Sequence, residues 1–406
     1  MIVKGKNYPY GIHVKDRKEL CREKPNEPMP ATAGEKICVS KQIGAPAIPL
    51  VQPGESVVKG QLVAEASGAI SANVFSGVCG RVKAIEEIAN PMGLKQKYIV
   101  IENDGRNEET RFPNLESFDD KSIIDRVREA GIVGLGGAGF PTAVKLTPKN
   151  PLDTLVVNGA ECEPYLNCDY RLMIEHTDEI VKGINYIAAA LNVKNVGVGI
   201  EKNKPDAIEL FSERGLKVVP LKKQYPVGSE KHLVYCCTGR KIPLGKMPFD
   251  IGVCVQNIKT LFAAYEAVEK NKPLTEIVMT VSGEGIAEPK NLRVTIGTPF
   301  ADIAAFCGGE KGNAVKYVAG GPMMGRRSPT SVNTRKRPIR GCSSSRKRRQ
   351  TSKRLRTAST AAAARRTAPC GSNRCISKCT RWRATTKRRR NTARPTASNA
   401  AAAPIT

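Results

Sequence analysis

Four glycines, Gly134, Gly136, Gly137 and Gly139, fall within six residues, and Lys145 stands six positions beyond the last. Glycine alone gives the backbone free access to positive φ and lets a flat ligand press against the main chain. Amides turned toward one point form an anion nest, to which a lysine adds a point charge suited to a phosphate. A glycine-rich run taken alone is weak evidence, because a flexible loop uses the same residues.

The elements around this run must position it. Ser122 to Ala130 places apolar residues at 123, 124, 127 and 130, a helical spacing that leads into the glycines. A second helix is expected to open after Phe140. Residues 154–157 read as an apolar strand, and Asn158 stands where it ends, on the edge where α/β sheets usually bind ligands. Amphipathic helices then alternate with strands near 193–201 and 216–221, the signature of a parallel sheet covered by helices.

The wording G-x-G-G-x-G-F-P-T-x-x-K resembles the flavin loop of the NADH-oxidising subunit of respiratory complex I. The phrase Asn158-Gly159-Ala160-Glu161-Cys162-Glu163-Pro164-Tyr165 is similar to that of the RnfC component of the Rnf-type ion-translocating oxidoreductases. Ala160 stands where complex I has an aspartate, and the Rnf pattern has alanine there. The likeness runs from about residue 11 to 325. It implies FMN held by Gly134, Gly136, Gly137, Gly139 and Lys145, with Phe140 stacking and Asn158 and Asn257 bonding the flavin. Tyr225, Gly228 and Glu230 match a loop beside the nicotinamide. Glu163 and Glu230 are the candidates to orient NAD(H), and Glu161 is included in the same loop. Glu161 and Glu163 have a plainer alternative as exposed loop acids.

The expected architecture is α/β and multidomain. Residues 1–35 read as an extended arm. Residues 36–103 read as short alternating strands, similar to a biotinyl/lipoyl-type barrel-sandwich. Its hairpin tip, Glu65 to Ala69, has no lysine, so a structural or docking role is expected rather than a carrier one. Residues 119–270 form the FMN/NADH domain, 275–325 an incomplete β-grasp (SLBB-type) module, and 326–406 a basic tail.

The formal net charge of +27 suggests nucleic acid until its distribution is read. Residues 326–406 hold 24 Lys and Arg and no acid, so the preceding 325 residues are close to balance. No specific nucleic-acid partner is expected of the folded part. Such a tail cannot bury a core and is expected to be disordered. The family resemblance implies two C-x-x-C-x-x-C-x-x-x-C-P motifs for 4Fe–4S clusters here. Only Cys370, Cys375 and Cys379 remain, at altered spacing, as a remnant metal site not expected to function. The abrupt change of vocabulary points to a reading-frame fault near residue 325. The competing reading is a genuine tail that binds nucleic acid or anionic lipid.

Nine of the thirteen cysteines are scattered irregularly before residue 326, which suits reduced thiols rather than a disulfide framework. Isolated His13, His176 and His232 receive no ligand role. No apolar run reaches 18 residues, so no transmembrane helix is expected. The resemblance implies a peripheral protein on the cytoplasmic side of the bacterial inner membrane. Its partners would be the other subunits of a membrane complex and ferredoxin or another iron–sulfur protein. Alternatives are a soluble flavin-dependent NADH dehydrogenase and a nucleotide-binding scaffold.

Overall fold

The computed structural model describes residues 2, 5–6, 10–40, 42–89, 95–312, 314, 316–328 and 358–360. The described residues of the N-terminal segment lie across the α/β domain and are tied to it at several points. Ile2 is buried, a 3₁₀ turn spans Lys18–Leu20, and strand β1 is Asn26–Pro28.

A barrel-sandwich follows, made of β2 (Gly34–Cys38), β3 (Ile48–Pro49), β4 (Ser56–Val57), β5 (Leu62–Glu65), β6 (Val74–Phe75), β7 (Gly80–Ala89) and β8 (Lys95–Asn103). One sheet has the order β2-β8-β7-β4 and the other β3-β5-β6. Alternation along β8 turns Ile99 and Ile101 inward onto Ile37, Val57 and Val82, a self-contained apolar core. Each fully buried aliphatic side chain contributes roughly 1.5–3 kcal/mol.

The α/β domain opens with α1 (Asp120–Glu129), whose N-cap Asp119 accepts the Ser122 amide and whose Ile123 and Val127 are fully buried. After the glycine loop come α2 (Thr142–Leu146), β9 (Thr154–Gly159), α3 (Cys168–Glu175), α4 (Thr177–Ala190), β10 (Asn195–Glu201), α5 (Pro205–Glu213), β11 (Val218–Leu221), α6 (Glu230–Thr238), β12 (Val253–Asn257) and α7 (Ile258–Glu269). The four strands are parallel, in the order β11-β10-β9-β12. The unbroken apolar run Leu155-Val156-Val157 is what a strand covered on both faces requires. Because β10 and β12 flank β9 on opposite sides, the chain reverses its winding between β9 and β12. That is the place where open α/β sheets bind ligands.

The last module contains β13 (Glu276–Gly283), β14 (Lys290–Thr295), α8 (Phe300–Phe306), β15 (Tyr317–Ala319), β16 (Arg326–Ser328) and β17 (Ala358–Thr360). Its sheet order is β1-β14-β13-β17-β15-β16, so the N-terminal segment supplies an edge strand. The expectation of a tail wholly without structure is corrected at β16 and β17. An unfilled gap between β13 and β15 would leave two rows of backbone groups unpaired, and β17 bonds to both. The remnant cysteines 370, 375 and 379 lie outside the described residues. Among the described residues no helix is long and apolar enough to cross a membrane.

Candidate functional site

The glycine loop is a closed excursion between α1 and α2. Gly134 donates its amide to Phe140 O at 2.8 Å, and Thr142 donates to Ile132 O at 2.9 Å, which pins the two ends together. Leu135 N donates to Thr260 Oγ1 at 3.0 Å and anchors the loop to α7. Gly139 has φ 68°, where a side chain would be strained. At Gly136 a Cβ would fall 2.5 Å from Asn257 Cγ, so glycine is the residue that lets the loop lie on that asparagine. Gly137 has open space in the corresponding direction. Among the described residues the amides of Gly136, Gly137 and Ala138 donate to no protein acceptor.

Asn158 and Asn257 are register partners at the C-terminal ends of β9 and β12, on the reversal point of the sheet. Asn257 caps α7 through Lys259 N and donates from Nδ2 to Asp169 Oδ2 at 2.8 Å. Asn158 donates to Gly228 O at 2.8 Å and accepts the Ala160 amide. Gly228 is pressed against Cys162, whose Sγ would lie 3.1 Å from a Cβ there. The glycine loop, the two asparagines and the 225–228 loop therefore form one continuous surface. Lys145 reaches the same edge, with Nζ 2.9 Å from Glu230 Oε1 and 3.2 Å from Val255 O. Burial alone would pull the lysine pKa down, but the Glu230 carboxylate outweighs it and holds the ammonium form.

Phe140 is half-buried beside the loop, its carbonyl engaged by Gly134. Tyr225 is fixed by two backbone bonds to Ile12, 2.8 and 2.9 Å long. Glu163 accepts the amides of Met323 and Met324, at 3.0 and 2.9 Å, from the β15–β16 loop of the β-grasp module. Glu161 is not an exposed loop acid, and its carboxylate faces the start of α3. Its side chain is 4% exposed and accepts from Asp169 N and Tyr170 N at the start of α3, with Lys18 Nζ 3.6 Å away. The free amides at the start of a helix attract a carboxylate, and Glu161 satisfies two of them.

Three charged residues escaped the sequence reading. Asp169 and Lys259 form a buried pair at 2.9 Å that orients Asn257. Burial would raise the Asp169 carboxyl, but Lys259 and Asn257 hold it below the usual range. Lys18 donates to Glu161 O at 2.9 Å and to Leu166 O. Asn257 opening a helix right after a strand is a signal that points to its neighbours, whereas nothing local in the sequence marks Lys18.

The donor set fits a phosphate-bearing planar group. Among the described residues three neighbouring amides lack a protein acceptor, a cation stands nearby, and the bare Gly137 faces open space.

Comparison with known proteins agrees with this geometry. Residues 127–266 match the Nuo51 FMN-binding domain, 6–106 the RnfC barrel sandwich hybrid domain and 278–327 the SLBB domain. The chain is 44% identical over 330 residues to the C subunit of the proton-translocating ferredoxin:NAD(+) oxidoreductase complex of Clostridium ljungdahlii, covering 79% of this chain and 72% of that one. It is 45% identical over 328 residues to the C subunit of the ion-translocating oxidoreductase complex of Rhodobacter capsulatus, covering 78% of this chain and 63% of the relative. It is 38% identical over 341 residues to the C subunit of the Na(+)-translocating ferredoxin:NAD(+) oxidoreductase complex of Acetobacterium woodii, covering 80% and 76%.

Proposed function

The chain belongs to the RnfC family, the C subunits of ion-translocating oxidoreductase complexes, and from that premise we propose that it is an electron-transfer subunit working between NAD(H) and a flavin. The observation that carries this reading is the junction of the glycine loop with the register-paired Asn158 and Asn257 at the reversal point of the parallel sheet.

In this reading the amides of Gly136 to Ala138 and the Lys145 ammonium hold the phosphate of FMN. Gly137 leaves room for a ring to approach the main chain. Asn158 and Asn257 set the floor, their orientations fixed by Gly228 and Asp169. Glu230 neutralises Lys145 and narrows the entrance beside the 225–228 loop. Bound there, a flavin would supply the exchange between two-electron hydride chemistry and one-electron transfer, while the protein supplies position and electrostatics. Glu163 acts at one remove, by fixing the loop at Met323 and Met324 against the nucleotide side.

The proposed partners are the other subunits of a membrane complex on its cytoplasmic face, with ferredoxin or an iron–sulfur protein as the one-electron partner. An intact 4Fe–4S motif is missing from the sequence as written. The purified protein is therefore expected to retain FMN, to be bleached by NADH, and to pass electrons poorly to a one-electron protein partner. Colourless protein that takes up no FMN on incubation would defeat the reading. A nucleotide-binding scaffold would bind NADH without any flavin to bleach.

A further inference from the structure

A cavity of about 140 Å³ lies beside the proposed nucleotide side, with Val14, Asp16 and Lys18 of the N-terminal segment on one wall and Cys162, Lys223 and Tyr225 among those opposite. Its size matches that of an engineered cavity of about 150 Å³ that accepts benzene, so it has room for one six-membered ring. Cys162 connects it to the flavin side, since that sulfur packs on Gly228, whose carbonyl accepts from Asn158.

The N-terminal segment is built into this wall. Ile12 and Tyr225 exchange two backbone bonds. Asp16 O accepts Tyr165 N at 2.7 Å, and Lys18 O accepts Asn167 Nδ2 at 2.9 Å. Lys18, 4% exposed, binds the carbonyls of Glu161 and Leu166 with one ammonium and faces the Glu161 carboxylate. The loop it grips needs holding. Glu161 has φ 45° and Tyr165 φ 69°, a left-handed conformation that strains a residue with a side chain. The bonds from Asp16 and Lys18 offset that strain and hold the loop in place, with its Cys162 on the cavity wall.

The lining suits one end of a dinucleotide. Lys223, half exposed and 2.7 Å from Asp16, stands at the rim where a diphosphate would pass. The Cys162 thiol and the Tyr225 phenol add neutral, hydrogen-bonding groups to the lining, beside Glu201 and Gln224.

We propose that residues 13–18 form the outer wall of the pocket that receives NAD(H), with Lys18 as the positioning residue that fixes residues 161–166 across from it. This rests on the proposed function and adds to the glycine-loop site a wall drawn from outside the α/β domain.

The test uses the full chain. Calorimetric titration of NADH into flavin-free protein reads the pocket without turnover, and steady-state NADH oxidation with ferricyanide reads the FMN-loaded form. Lys18→Met frees the loop, and Val14→Phe fills the cavity without touching a flavin contact. Both variants are expected to weaken NADH binding tenfold or more and to raise KM similarly. FMN affinity should stay unchanged and kcat within about threefold. Should Lys18→Met fail to fold, Val14→Phe decides alone. Wild-type protein that binds no NADH overturns the proposed function and this wall together. NADH binding that stays within twofold in the folded variants overturns the wall alone.

Discussion

Lys145 and Glu230 hold each other at the C-terminal edge of the parallel sheet, Nζ to Oε1 at 2.9 Å, with the lysine 23% and the glutamate 39% exposed. The two residues are therefore not independent contributors to the site. Glu230→Gln would leave the Lys145 ammonium with only the Val255 carbonyl. That change should lower stability by about 1–3 kcal/mol while leaving FMN affinity intact or improved. Lys145→Met removes the cation itself and should weaken FMN binding tenfold or more. Denaturant unfolding and titration of flavin fluorescence separate the two. Equal loss of FMN from both variants would show that the pair, rather than the lysine, holds the phosphate.

Glu163 ties the β-grasp module to the nucleotide side through two amides. Gly321 lies so close that a Cβ would fall 2.2 Å from the Glu163 carboxyl carbon. Glu163→Ala should therefore speed hydrogen exchange at Met323 and Met324 by tenfold or more, with little change in residues 154–157. Gly321→Ala should push the carboxylate aside and give the same pattern. Unchanged exchange at both amides would mean that the module is held elsewhere.

How much of this could be read without coordinates depends on the range of each contact. Leu155-Val156-Val157 announces a covered strand because its neighbours in sequence are all apolar. The glycine loop announces itself because Gly139 needs a positive φ that few residues accept. Glu161 and Tyr165 adopt the same region with no glycine to flag it, so nothing in the sequence marks their turn. The Asn158–Asn257 pairing comes from parallel strands about a hundred residues apart. Lys18 meets Glu161 and Leu166 across more than 140 residues. Periodicity reports which face of an element is buried, and carries no information about which distant segment buries it.

Glu35 makes the stability of the barrel-sandwich depend on pH. Its carboxyl is buried between Gly77 and the β-grasp module, with Oε2 accepting Gly77 N at 3.2 Å and Oε1 without a partner. Burial pushes its pKa up to about 8 from an ordinary 4.5. Below pH 4.5 both folded and unfolded forms are protonated, and its contribution to stability is complete. Between 4.5 and about 8 only the unfolded form ionises, so stability falls by up to about 1.4 kcal/mol per pH unit. Glu35→Gln should remove this slope and make the protein more stable than wild type at pH 8.5. Urea unfolding at pH 5.5, 7 and 8.5 measures it. Parallel curves for the two proteins would mean that water reaches Oε1.

Lys204 and Glu201 present the sharpest case of a buried charge held for geometry. Their side chains are 1% and 2% exposed and 3.2 Å apart, and Lys204 also donates to Ala160 O at 2.7 Å, in the turn that carries Glu161. Burial lowers the lysine pKa and raises that of the glutamate, and each partner's charge works against that shift. Removing one partner strands the other, at a cost of about 3–5 kcal/mol for either Lys204→Met or Glu201→Gln. The double change removes both charges and should recover most of that loss. It cannot recover all of it, because the Ala160 carbonyl still lacks its donor, a deficit of about 1–3 kcal/mol. A double-mutant cycle by urea unfolding should therefore show a coupling of about 2 kcal/mol or more, and the residual loss should appear as looser NADH binding rather than looser FMN binding. Additive single effects would show that the two charges are solvated separately, and the turn at Ala160 would then need another anchor.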